Sequence, residues 1–201
     1  MRGMQAWLDT ILSRPAPEAA PALLGARLRC GVVRAVITEV EAYHGEEDLA
    51  CHASKGQTPR NQMLYRRHGT VYCYLCYGIH VLWNIVCGPE GVPAAVLIRA
   101  VLVTHGVSEA RRRRGGKQTP LARLSDGPGK VTQALDIGLQ ANGLHVDDAT
   151  CPFSLQPGLS VPSRAVSCGP RVGVAYAGEH WAAMPWRWRI DAAEQVFAAR
   201  I

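Results

Sequence analysis

Three stretches rich in apolar and β-branched residues dictate what this chain can fold into. They are residues 27–43, which hold LRCGVVRAVITEVEAY, residues 69–88, GTVYCYLCYGIHVLWNIVCG, and residues 94–104, AAVLIRAVLVT. Their lengths and composition read as strands, the first as one strand or a bent pair. In 69–88 two β-rich flanks meet at Tyr77-Gly78-Ile79, the pattern of a hairpin with a tight turn. Strands dominate, and hairpins fit them better than βαβ crossovers. The fold class expected is therefore α+β, with a mixed, largely antiparallel sheet, short flanking helices and a protruding β-hairpin.

The helical signals are short. Trp7, Leu8, Ile11 and Leu12 recur at helical spacing within 5–13, and a Pro-rich lead-in follows, with a short helix ending at Gly25. VSEARRRRGGK, 107–117, begins as a helix and ends as a basic glycine-rich loop, and GPGKVTQALDI, 127–137, opens a helix near Pro128. Residues 138–168 read as irregular with short strands, and PRVGVAYAGE (170–179) and PWRWRI (185–190) as late strands. No repeat or linker divides the chain, so residues 1–201 are expected to form one domain, 1–20 being the N-terminal helix and lead-in.

Charge narrows the partners. The chain carries 19 arginines and 3 lysines against 16 carboxylates, a net charge of +6. Guanidinium forks suit bidentate phosphate contacts, and a basic chain without a lipid signature fits nucleic acid as well as it fits a soluble basic surface. No apolar run is long enough to span a membrane, and the N-terminus lacks a signal-peptide core, which points to the cytoplasm (the nucleoid in a bacterium). Seven cysteines, an odd number, read as free thiols. Cys73-x-x-Cys76 looks like half a zinc clasp, but in a strand a spacing of three puts the thiols on opposite faces, so no metal is expected.

The chemistry concentrates in EVEAYHGEEDLACH, residues 39–52, with five carboxylates, one tyrosine and two histidines. By the period of two, Ala35, Ile37, Glu39, Glu41 and Tyr43 share one face. Arg99 sits alone inside an apolar strand and needs a carboxylate there; Glu39 and Glu41 are the candidates. That pair is either structural or a grip on one water molecule. Asn84 in VLWNIV is a second polar residue in an apolar strand, and an amide facing a pocket can read a base edge. Tyr72 and Tyr74 share one face of their strand, and Tyr77 sits where the hairpin turns. Glu46, Glu47 and Asp48 read as loop carboxylates, some capping the turn that positions His52. GPGK is not a phosphate loop of the Walker type, because Val131 replaces the required hydroxyl. It presents either a helix-entry turn or backbone amides to a phosphate. Arg111–Arg114 are either a solvated helix end or a contact to DNA backbone.

The ordered set ITEVEAYHGEEDLACH, QTPRN, HGTVYCYLCYGIHVLWNI, VLIRA, DGPGKVTQALDI and PRVGVAYAGE with PWRW resembles the alkyladenine-type 3-methyladenine DNA glycosylases. The matches run from about Leu23 almost to the C-terminus. The resemblance implies a monofunctional DNA glycosylase that requires no metal and removes alkylated purines, and often deaminated or etheno purines, from duplex DNA; no cofactor is expected, and nothing in the sequence requires more than a monomer. Carried over by motif, Glu41 is the general base and Arg99 helps hold the attacking water. Tyr43, His52 and Tyr74 line the base pocket, Asn84 rejects guanine's exocyclic amine, and Tyr77 fills the gap in the duplex. Arg60, Gly129 and Lys130 face the DNA backbone. None of Lys55, Lys117 and Lys130 falls in the pocket motifs, which favours water over a Schiff-base amine as nucleophile. On this reading Arg99 lowers the Glu41 pKa and keeps it ionised. The sequence departs from the family pattern beside the wedge: His68 replaces a common proline, Ile79 a methionine and His80 an aromatic residue.

Overall fold

The computed structural model describes residues 2–116 and 118–197, without the side chains of residues 2–5 and 194. Lys117, the last residue of the basic run, lies outside the described residues. In chain order the elements are α1 (Arg2–Leu12), α2 (Ala16–Ala22), β1 (Arg27–Cys30), β2 (Val33–His44), β3 (Val71–Cys76), β4 (His80–Val86) and β5 (Ala94–His105). Then come α3 (Val107–Arg113), α4 (Leu121–Leu124), α5 (Pro128–Leu135), β6 (Ser154–Gln156), β7 (Val166–Gly169), α6 (Gly178–Ala183), β8 (Arg187–Ile190) and α7 (Ala193–Phe197).

The eight strands form one sheet in the order β3-β4-β5-β2-β1-β6, with β8 pairing β2 and β7 pairing β8. Every ladder is antiparallel. The α+β architecture expected from the sequence is the one observed. The three apolar runs supply β1 to β5, and the two 12-residue strands β2 and β5 form the spine. Leu8, Ile11 and Leu12 of α1, Ala16, Ala19 and Ala20 of α2 and Val131, Ala134 and Leu135 of α5 cover one face of that spine. Val33, Ala35, Ile37, Val40 and Ala42 of β2 point into this core. The opposite face carries smaller clusters, one around Tyr72, Val86 and Ala95 and one around Val36, Leu102, Ile190 and Phe197.

Two expectations need correction. PRVGVAYAGE is not a strand: residues 175–177 form a 3-10 turn that leads into α6. Gly173 and Gly178 lie at φ 76° and 80°, outside the extended region, and the Val172 amide is taken by a side chain, so no ladder can form there. The other concerns the face of β2. Ala35 and Ile37 face the core, whereas Glu39, Glu41 and Tyr43 do not share that face, because a register shift separates Ile37 from Glu39.

Candidate active site

The shift in β2 is what brings charge to the site. Ile37 pairs Val101, Glu39 pairs Ala100, and Val40 pairs Ile98, so Thr38 on β2 and Arg99 on β5 are extra residues without a partner in the register. A bulge of this kind bends the strand and re-aims a side chain. Arg99 consequently leaves the apolar face and meets both glutamates: Nε donates to Glu39 Oε1 at 3.0 Å, and Nη1 lies 3.3 Å from Glu41 Oε1. Arg187 on β8 adds a second guanidinium to Glu39 at 3.4 Å.

Glu41 has no solvent exposure. Its Oε1 accepts the Val172 amide at 2.7 Å as well as facing Arg99, and its Oε2 accepts the Tyr43 hydroxyl at 2.9 Å. Burial pushes its pKa above the ordinary carboxylate value; Arg99 opposes this most strongly, then the Val172 amide and the Tyr43 hydroxyl. The sequence expectation that Arg99 would set a lowered pKa is thus corrected: the guanidinium acts in that direction, but desolvation outweighs it. Tyr43, Arg99 and Val172 all line a cleft of about 730 Å³, so the carboxylate lies one layer beneath its floor, behind the groups that bind it.

Beside the carboxylate is a small cavity of about 50 Å³ that Tyr43, His52, Tyr74 and Asn84 line together with Tyr72 and Tyr176. The His52 ring lies edge-on to Tyr74, centroids 4.5 Å apart, and His52 Nδ1 is 2.9 Å from the Tyr72 hydroxyl. Burial, then the charge of Arg60, pushes the His52 pKa down, which favours a neutral ring. Asn84 is buried opposite Tyr72 and donates to its carbonyl at 3.1 Å. Asn61, next to Arg60, fixes the loop that carries His52 by donating to the His52 carbonyl at 2.8 Å and the Gly56 carbonyl at 3.0 Å. Sequence reasoning did not place Tyr72 or Tyr176 in this pocket. Tyr72 did carry a signal, since it shares a strand face with Tyr74; Tyr176 had none, because its segment read as a strand.

A buried ion pair behind the pocket was missed as well. Arg171 and Asp48 are fully buried, with Nη1 to Oδ2 at 2.6 Å and Nη2 to Oδ1 at 2.8 Å. Asp48 also accepts the amide of Ala50 at 3.0 Å, so it does cap the turn that leads to His52. The Arg171 guanidinium donates to the Ala42 carbonyl and stacks between Tyr43 and Trp186, 4.8 Å and 5.1 Å from the ring centroids. This one pair ties together the Tyr43 ring, the loop of His52 and, through the next residue, the amide bound to Glu41. Glu46 remains a loop carboxylate, accepting the Tyr65 hydroxyl at 2.7 Å.

The cleft is open on its outer side. Arg60, Gly129 and Lys130 line it, along with Arg114. Gly129 passes so close to the hairpin that a Cβ there would sit 3.1 Å from His80. Of the arginine run, Arg112 and Arg113 are engaged by Glu109 and Arg111 by the Thr119 carbonyl, while Arg114, which donates to the Leu124 carbonyl and to Gln133, is the member that lines the cleft. Tyr77 at the hairpin tip is 89% exposed, and Ile79 beside it is 71% exposed. Among the described residues no group of three or more His, Cys, Asp or Glu is placed to hold a metal ion, and all seven cysteines are free. Nor is any helix among them long and apolar enough to cross a membrane.

The family model described as methylpurine-DNA glycosylase matches residues 10–194. A protein of Nitrosococcus oceani named "Putative 3-methyladenine DNA glycosylase" is 47% identical over 175 residues, covering 87% of this chain and 85% of its own. Proteins of the same name from Rhodopseudomonas palustris and Myxococcus xanthus are each 43% identical, over 87% and 90% of this chain and 80% and 88% of their own. A match spanning nearly every element that builds the cleft leaves one assignment: the chain belongs to the methylpurine-DNA glycosylase family.

Proposed function

We propose that this protein is a monofunctional DNA glycosylase that hydrolyses the N-glycosidic bond of damaged purines flipped out of duplex DNA. The observation that carries the reading is Glu41. A carboxylate with no exposure, held by Arg99, Tyr43 and the Val172 amide beneath an aromatic-lined cleft, has more partners than packing requires and a raised pKa that suits a proton acceptor.

In the proposed reaction Glu41 takes a proton from water as the oxygen attacks C1′ of the sugar. The C1′–N bond breaks and its electron pair leaves with the purine. Positive charge develops on the sugar in the transition state, and the carboxylate stabilises it. Arg99 orients the water and offsets the cost of a buried anion. The purine enters between Tyr43 and the His52–Tyr74 edge. A neutral His52 adds no positive charge beside an alkylated, cationic base, which is already a good leaving group. Asn84 fills the space that guanine's exocyclic amine would need. Tyr77 occupies the gap left in the duplex, and Arg60, Arg114 and Lys130 with the amides around Gly129 take the backbone. Flipping costs a few kcal/mol, least for a damaged or mispaired base, and this adds to selectivity.

A panel of duplexes, each bearing one defined lesion, tests the reading through alkaline cleavage at the abasic product. Cleavage at 3-methyladenine, hypoxanthine or ethenoadenine, with undamaged purines left intact, is the expected result. Binding without abasic product on any lesion would replace the enzyme with a passive DNA-binding protein.

A further inference from the structure

The end of β2 remote from Glu41 carries a second concavity, of about 370 Å³, lined by Arg27 and Arg29 of β1, Arg34 of β2, Thr104 and His105 of β5, and Gln156 of β6. Leu28, Cys30, Val33 and Ala35 point into the main core, so the alternation of the strands turns the three arginines to the opposite face, the one that bears Glu41 and Tyr43. The register sets Arg29 directly across from Arg34. Like charges placed opposite on paired strands destabilise the pair. Arg99, Arg112, Arg113, Arg171, Arg187 and Arg189 all have carboxylate partners. Arg27, Arg29 and Arg34 have no ion pair among the described residues, and all three are exposed.

Three guanidinium forks around one hollow match phosphate oxygens. No Tyr, Trp or Phe lines the hollow, and its three guanidiniums outnumber its one ring, that of His105. It is therefore built for a backbone rather than for a nucleotide with its base. Arg34 and Glu41 are seven positions apart on β2, about 20 Å of strand. A nucleic-acid strand covers that in about six phosphates at about 3.4 Å each. We infer that the Arg27–Arg29–Arg34 cleft grips the phosphate backbone of duplex DNA about half a helical turn from the lesion, on the far side of the Val36, Leu102, Ile190 and Phe197 cluster that covers the sheet between it and the base pocket. The choice of DNA rests on the glycosylase reading; the choice of phosphate rests on the cleft.

The test compares two lesion duplexes, a short one with about four base pairs on each side of the lesion and a long one with about fifteen. Binding is measured as a function of salt for the parent chain and for the combined variant Arg27→Ala, Arg29→Ala, Arg34→Ala. Each phosphate left without its guanidinium reduces the slope of log K against log salt by about 0.9. The variant is expected to lose about two to three units of slope and at least tenfold affinity at low salt on the long duplex, while its slope on the short duplex stays at the parent value. The corresponding lysine variant keeps the charge, and its slope on the long duplex is expected to stay near the parent value. An unchanged slope on the long duplex, or equal losses on both lengths, overturns the inference. If the parent chain excises no base from any lesion, the glycosylase reading fails, and the salt slopes still decide the cleft.

Discussion

At the scale of single residues, Glu41 keeps a carboxylate where water has been removed, and this has a signed consequence for stability. Its folded-state pKa is raised, with burial as the first cause. Below the ordinary value of 4.5 both folded and unfolded chains hold the proton, so the contribution to stability is fully present there and is lost as pH rises through the raised value. At neutral pH, above the ordinary value, the raised pKa thus costs stability. Glu41→Gln can keep the same partners: its oxygen accepts from Val172 and Arg99, and its amide donates to the Tyr43 oxygen. The variant is expected to melt above the parent at pH 7, with the gap narrowing towards pH 4.5; a gap that widens on acidification would contradict the assigned shift. By the same reasoning, excision by the parent falls on the acid side from a higher pH than an exposed glutamate would give. The Asp48–Arg171 pair behaves oppositely. Removing one partner strands a fully buried charge, so Arg171→Met or Asp48→Ala should cost about 3–5 kcal/mol in denaturant unfolding, and the two costs should not add in the double variant.

At the scale of elements, the hairpin of β3 and β4 shows a local rule broken at its tip. Tyr77 and Gly78 lie at φ 50° and 72°, and the Ile79 amide closes the turn onto the Cys76 carbonyl at 3.2 Å. Two positive φ values in a hairpin turn favour Asn-Gly, and tyrosine in the first position is strained by about 1–2 kcal/mol. Tyr77→Asn should therefore raise stability by up to about 1 kcal/mol while lowering excision from duplex DNA more than from single-stranded DNA carrying the same lesion. Equal losses on both substrates would remove the wedge role. This hairpin was legible in the sequence because its signal is local: β-rich flanks and a glycine at the turn. The spine strands were legible in the same way, whereas Tyr43, His52, Tyr74 and Asn84, which line one cavity, were brought together only by the family resemblance. The bulges at Thr38 and Arg99 were not, since a single extra residue shifts every later side chain by one face and leaves no mark in composition. Arg171 was illegible for another reason. Its partner Asp48 lies 123 positions away, and nothing near it in the chain announces burial.

At the scale of the whole molecule, the antiparallel sheet separates two duties. One face carries the apolar core under α1, α2 and α5, and the other carries smaller apolar clusters with Glu41 and its guanidinium near one end, arginines without an ion pair among the described residues at the other, and the exposed hairpin tip beside the cleft. Arg60, Arg114 and Lys130 on the cleft and Arg27, Arg29 and Arg34 on the second hollow put positive charge where a polyanion can use it, and affinity for undamaged duplex should fall steeply with salt even where lesion excision persists. The claim on which the rest depends is that Glu41 activates the water. Single-turnover release of hypoxanthine or 3-methyladenine from a lesion duplex by Glu41→Gln, measured beside its binding to the same duplex, tests that most directly. Binding within a few fold of the parent is expected, with base release reduced at least a hundredfold, the scale of a missing general base; release at the parent rate would contradict the assignment.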